Sequence, residues 1–149
     1  MTRNVAIAVG AAIVGALIVL LYEITIAPTT PPLSPPPPCN QGTCPIAITV
    51  YGDCTKPNAI FAFPDPDSID KRNRSPVIEW TVTTAGYTFA PNGIDFHGDG
   101  QFSNGHAAGP WKYQWNDANS DSAYHKYAIN LVNNGAACPT RDPGIINGQ

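Results

Sequence analysis

Eighteen consecutive residues, Val5 to Tyr22 (VAIAVGAAIVGALIVLLY), carry no charge and no strongly polar side chain. Wound as a helix they would span roughly 27 Å, close to the hydrocarbon thickness of a bilayer. A run of this kind has no place on the surface of a small water-exposed domain, so it dictates how the remainder is read. Residues 1–27 are expected to form a membrane anchor, with Arg3 ahead of the run on the cytoplasmic side. The run is longer than the apolar region of an ordinary signal peptide. Cleavage after Ala27 would also put Pro28 just past the cut and Thr25 three residues before it, and no cysteine follows closely enough to accept a lipid. Anchoring is therefore expected, with secretion after cleavage as the alternative.

From Pro28 to Pro38 the chain reads PTTPPLSPPPP. Such a tract favours polyproline II at about 3.1 Å per residue, which makes residues 28–38 a semi-rigid spacer of about 34 Å. Residues 39–149 are then long enough for one hydrophobic core. Charged residues are only 13% of the chain, while 16 Pro and 13 Gly call for short elements and many turns rather than long amphipathic helices. The net charge of −3 excludes an electrostatic case for nucleic acid. The one basic cluster, Lys71, Arg72 and Arg74, is offset by Asp65, Asp67 and Asp70 beside it.

Cys39, Cys44, Cys54 and Cys138 all lie on the same side of the apolar run. An even number in an exported domain reads as two disulfides, and three pairings are open. The expected one joins Cys39 to Cys44 and Cys54 to Cys138, because the second bond would staple early strands to late ones. Zinc is the rival reading, but no C-x-x-C knuckle is present.

After Cys39 the hydrophobic period is two. Ile46, Ile48 and Val50 alternate with small or polar residues, Ala59 to Phe63 is a short apolar run closed by Pro64, and Asp65 to Ser75 reads as a surface loop. Val77 to Thr84 (VIEWTVTT) puts Ile78, Trp80 and Val82 on one face. Tyr87–Phe89 and Ile94–Phe96 flank a turn signal, Pro91-Asn92-Gly93, and Phe102 sits between glycine-rich loops. Tyr124 to Val132 reads as one strand with Tyr127, Ile129 and Leu131 on one side, ended by Asn133-Asn134-Gly135. About seven short strands without a helix indicate an all-β fold, an antiparallel β-sandwich of immunoglobulin-like or cupredoxin-like type, with an open barrel as competitor.

The second half carries IEW, GYTFAPNGIDF, WKYQWNDAN, YHKYAINL and finally CPTRDPGIINGQ. This series resembles small exported bacterial domains of unknown function that share a Trp strand, a GY-x-F-x-x-NGI turn, a YKY strand and a terminal DP-x-I-x-N. The resemblance implies a bacterial, exported β-sandwich and no particular reaction. Combined with the anchor, it implies a single-pass protein of the bacterial inner membrane whose larger part faces the periplasm. A cupredoxin's copper needs two His, a Cys and usually a Met. Here the only methionine is Met1 and Cys138 runs into Pro139-Thr140-Arg141, so copper is not expected.

Three groups of residues carry chemistry. Asp95, His97, Asp99 and His106, in IDFHGDGQFSNGH, offer mixed oxygen and nitrogen ligands for a metal, although Asp and Gly are what a turn uses anyway. Trp111, Tyr113 and Trp115 share one face of a strand. Exposed, they would stack a sugar with Asn116 and Asp117 as hydrogen-bonding neighbours, or anchor a partner; buried, they are core. Asp121, Ser122 and His125 are close in sequence, but no G-x-S-x-G is present. No enzymatic activity and no cofactor are expected. The leading expectation is a binding or assembly module of the envelope, partnered by another envelope protein or a second copy. Carbohydrate recognition and a metal-binding domain are the alternatives.

Overall fold

A computed structural model describes residues 36–56 and 58–149. The anchor reading of residues 1–27 and most of the proline spacer lie outside these residues. Among the described residues no helix is long and apolar enough to cross a membrane.

The described chain is all-β: β1 (Thr43–Val50), β2 (Ile60–Phe63), β3 (Asp67–Ser68), β4 (Val77–Val82), β5 (Tyr87–Asp95), β6 (Phe102–Gly109), β7 (Lys112–Asp117), β8 (Tyr124–Lys126), β9 (Ala128–Asn133), β10 (Ala136–Ala137) and β11 (Gly144–Ile146). They form a five-stranded sheet in the order β2-β1-β4-β7-β6 and two three-stranded sheets, β10-β9-β5 and β3-β11-β8. The sheets pack as a sandwich-like fold. Its inner face follows from the period-two pattern: Cys44, Ile46, Ile48 and Val50 on β1 and Ile78, Trp80 and Val82 on β4 are all buried. Against them pack Tyr87 and Ile94 from β5 and Ile129 and Leu131 from β9.

Four features differ from the sequence reading. The sandwich is not purely antiparallel, because β1 runs parallel to β4 and β3 parallel to β11. The β1–β2 hairpin places β2 at the sheet edge, and residues 64–76 carry the chain back so that β4 enters alongside β1. Pro91-Asn92-Gly93 is not a reversal but a bulge within β5, between Phe89 paired with Leu131 and Ile94 paired with Ile129. Tyr124 to Val132 divides at Tyr127, whose buried ring marks the passage from β8 in one small sheet to β9 in the other. The glycine-rich stretch after Phe102 is β6, where Gly105 allows the Trp115 indole to lie against the backbone; a Cβ there would come within 2.1 Å of the ring.

The aromatic core ties the sheets together. Trp80 meets Tyr127 at 5.2 Å and Phe96 at 6.0 Å between ring centroids, both edge-on, and Phe96 stacks on Phe102 at 3.5 Å. The disulfides are Cys39–Cys44 and Cys54–Cys138, the expected pairing, and no described cysteine is free. Two such bonds indicate an oxidising environment outside the cytoplasm.

The two disulfides close loops of very different length, with sequence separations of 5 and 84. Chain entropy assigns about 2 kcal/mol to the first and about 4 to 5 kcal/mol to the second. Denaturant titration should therefore find the C54A/C138A double variant destabilised clearly more than C39A/C44A. Equal losses would show that loop closure is not what these bonds contribute.

Candidate interaction surface

The outer face of the five-stranded sheet is built by the residues that alternate with the core positions. Across β1, β4 and β7 it is polar and internally satisfied. Thr49 and Thr83 share a hydrogen bond of 2.8 Å, and Glu79 accepts from Lys112 Nζ at 2.6 Å and Gln114 Nε2 at 2.7 Å. These two donors, Lys112 first, hold the Glu79 carboxyl below the ordinary glutamate range.

The β2 edge is different. Register pairs Thr49 with Phe61 and Ala47 with Phe63, so both phenylalanines point outward while Ile60 is buried. Phe61 is 48% exposed, Phe63 63%, and Tyr51, just past β1, 66%. Tyr51 and Phe61 meet edge-on at 5.2 Å. Next to them Pro36, Phe63, Pro64 and Pro66 border an open hollow of about 480 Å³. β2 pairs only with β1 in its sheet, so its other backbone edge has no partner strand among the described residues. Single exposed apolar residues are ordinary, but three aromatics side by side on a sheet edge are not. Sequence reading missed them because the alternation of Ala59 to Phe63 says which residues share a face, not which face is covered. The signal available was that Phe61 and Phe63 fall out of phase with Ile60.

Trp111, Tyr113 and Trp115 do not present a common face. Tyr113 is buried, 5.6 Å from Phe89 between ring centroids. Trp115 is half-buried against Phe96 and donates its indole N–H to Ile94 O at 3.1 Å. Only Trp111, at the turn between β6 and β7, is exposed, at 56%. Asn116 is half-buried. Asp117, expected at the surface, is fully buried and accepts from Asn147 Nδ2 at 3.2 Å, because β7 continues one residue past Asn116 and turns this side chain inward.

Asp95, His97, Asp99 and His106 are likewise separated. His97 stays near Asp95, at 3.5 Å and in solvent, while His106 lies on β6 with Nδ1 2.8 Å from Asn104 O. Asp99 turns to His125 instead, its Oδ2 2.6 Å from Nδ1, and Asp121 Oδ1 lies 3.0 Å from Nε2 of the same ring. Among the described residues no group of three or more His, Cys, Asp or Glu side chains is placed to hold a metal. Burial opposes charge on His125, but hydrogen bonds to Asp121 and Asp99 outweigh it, and its pKa is raised. With both ring nitrogens engaged by carboxylates, His125 has none left for a substrate. Asp121 and His125 are four residues apart, but the pairing with Asp99 is made only by the fold.

No protein-family model matches the chain, and a search of curated proteins returns no match.

These burials set an optical prediction. Trp80 is buried and Trp115 half-covered, so most of the acrylamide-quenchable tryptophan emission should come from Trp111 and disappear in W111F. A quenchable fraction unchanged in W111F would contradict the placement of these rings.

Proposed function

We propose that this chain is a membrane-tethered, periplasm-facing sandwich domain, immunoglobulin-like or cupredoxin-like in arrangement, that binds another envelope protein through the aromatic edge of β2. The observation that carries the reading is the exposure of Phe61 and Phe63 on β2, with Tyr51 beside them just past β1, on a strand whose far edge has no partner among the described residues. Aromatic side chains bury large area for little lost rotamer freedom and recur as anchors at protein interfaces. An unpaired strand edge adds main-chain hydrogen bonds for an extended segment, with side-chain contacts on alternate residues supplying selectivity. The tether is supported by the apolar run Val5 to Tyr22, the periplasmic side by the two disulfides, and the bacterial source by the resemblance of the second half.

The alternatives receive less support. A sugar platform needs Trp111, Tyr113 and Trp115 on one open face, and Tyr113 belongs to the core. A metal centre needs Asp95, His97, Asp99 and His106 to converge, and Asp99 is engaged by His125.

The F61T/F63T variant tests the reading, since threonine keeps strand preference while removing the anchors. Chemical cross-linking in intact envelopes should give the unaltered chain an adduct with a different protein, and the variant should lose it. The variant's melting temperature should stay within about 3 °C, because these side chains are not core. An adduct of two copies alone, or one that survives in the variant, would overturn the proposal.

A further inference from the structure

β11 is the middle strand of the smallest sheet, and its surroundings share one property. Ile145 pairs with Asp67 on β3 and with His125 on β8, so a carboxyl and an imidazole occupy the flanking positions of one row. The following residue, Asn147, is fully buried and bonded to Asp117, also fully buried. Three titratable groups thus surround the segment 144–147, and all three side chains are removed from solvent.

The hydrogen-bond geometry indicates which protonation state each position suits. Both nitrogens of His125 face carboxylate oxygens, and only the imidazolium has two N–H donors to match them. Asp117 Oδ1 accepts from Asn119 N at 2.8 Å and from Asn147 Nδ2, while Asp117 Oδ2 and Asn147 Oδ1 are both buried and without a partner. A proton on Asp117 Oδ2 would remove the charge from a buried oxygen that no donor meets. Asp67 Oδ2 is buried and unpartnered as well. Two buried carboxylates, each with one oxygen that no donor meets, would be costly, whereas two neutral carboxylic acids would cost less.

We propose that the β3-β11-β8 sheet is a pH-sensitive latch: protonated Asp67, Asp117 and His125 hold the segment 144–149 in place, and their deprotonation loosens it while the rest of the domain stays folded. The other groups facing them are few. Asp99 and Asp121 face His125; His125 and Asp121 act on Asp117; and Tyr127, acted on by both Asp65 and Asp67, directly follows β8. Arg141 reaches Asp65 at 3.5 Å. Burial pushes the Asp67 carboxyl up to about 7 and raises Asp117 as well, while the carboxylates beside His125 raise its imidazolium.

The direction follows from linkage. A group whose folded pKa is raised contributes stability that is fully present below its unfolded value and is lost as pH rises through the folded one. For Asp67 the loss runs from about 4, the ordinary carboxyl value, to about 7. Asp117 begins to lose its contribution from the same point, and His125 from about 6.5. Asp99 and Asp121 are held below the ordinary carboxylate range, so between pH 4.5 and 8.5 they stay charged. Across that interval the latch only weakens.

Hydrogen exchange by mass spectrometry on the detergent-solubilised full chain tests this. After correction for intrinsic rates, protection of residues 144–149 should fall at least about tenfold between pH 4.5 and 8.5, the change produced by one unit of pKa shift. At pH 8.5 their exchange should depend only weakly on urea, as in an opening that exposes little surface, whereas exchange around Trp80 should depend strongly on it. In D67N/D117N, where asparagine can still hydrogen-bond Asn147 but cannot ionise, the fall should shrink. Protection independent of pH, the same fall in the variant, or a urea slope equal to that at Trp80 would overturn the proposal. Should the double variant fail to fold, carbon-13 titration of the unaltered chain decides: Asp67 and Asp117 carboxyl resonances that titrate near pH 4 would overturn it.

Discussion

The contact of Trp80 with Tyr127 and Phe96 is the joint on which this fold depends. Trp80 sits on β4, in the middle of the five-stranded sheet; Phe96 directly follows β5; and Tyr127 lies between β8 and β9, where the chain leaves one small sheet for the other. Three sheets therefore meet at one cluster of rings. Aromatic residues suit that role because each buries large area and accepts neighbours edge-on as well as stacked. Phe96 also contacts Phe102 and Trp115, so the β6–β7 hairpin is drawn into the same cluster.

A core consolidated in this way, with Cys54–Cys138 linking the segment after β1 to the segment after β10, does not need the outer face of its sheet for stability. Over β1, β4 and β7 that face is closed by the Lys112–Glu79–Gln114 cluster and the paired threonines, and its exposed aromatics gather at the β2 edge, with Trp111 apart at the β6–β7 turn. The reading of a binding module rests on this contrast between a satisfied polar face and an aromatic edge.

Much of the core was legible in the sequence because a strand's period of two is a local property. Ile46, Ile48 and Val50, then Ile78, Trp80 and Val82, announce a buried face in the string itself, and Cys54–Cys138 is expected because it would staple early strands to late ones, which leaves Cys39 with Cys44. What escaped was set by contacts distant in sequence. The strand β6 has almost no apolar side chains and exists because it pairs with β7. The strands β3 and β11 are two and three residues long and define each other across nearly eighty positions. Asp117 reads in the sequence as a surface hydrogen-bonding neighbour of the aromatic strand, but β7 runs on to it with its side chain on the inward face, where Asn147, thirty residues later, supplies the donor. The functional candidates were the least legible part, since Asp99 could be matched to His125 only once the loop before β6 and the strand β8 were placed together.

The central claim is that Tyr51, Phe61 and Phe63 are covered by a partner where the protein works. Hydroxyl-radical footprinting of intact envelopes against the detergent-solubilised chain measures this directly. The account predicts that these three side chains are oxidised several-fold less in the envelope, while Trp111, whose exposure falls within their range, is oxidised to the same extent in both. Equal oxidation of Tyr51, Phe61 and Phe63 in the two preparations would contradict it.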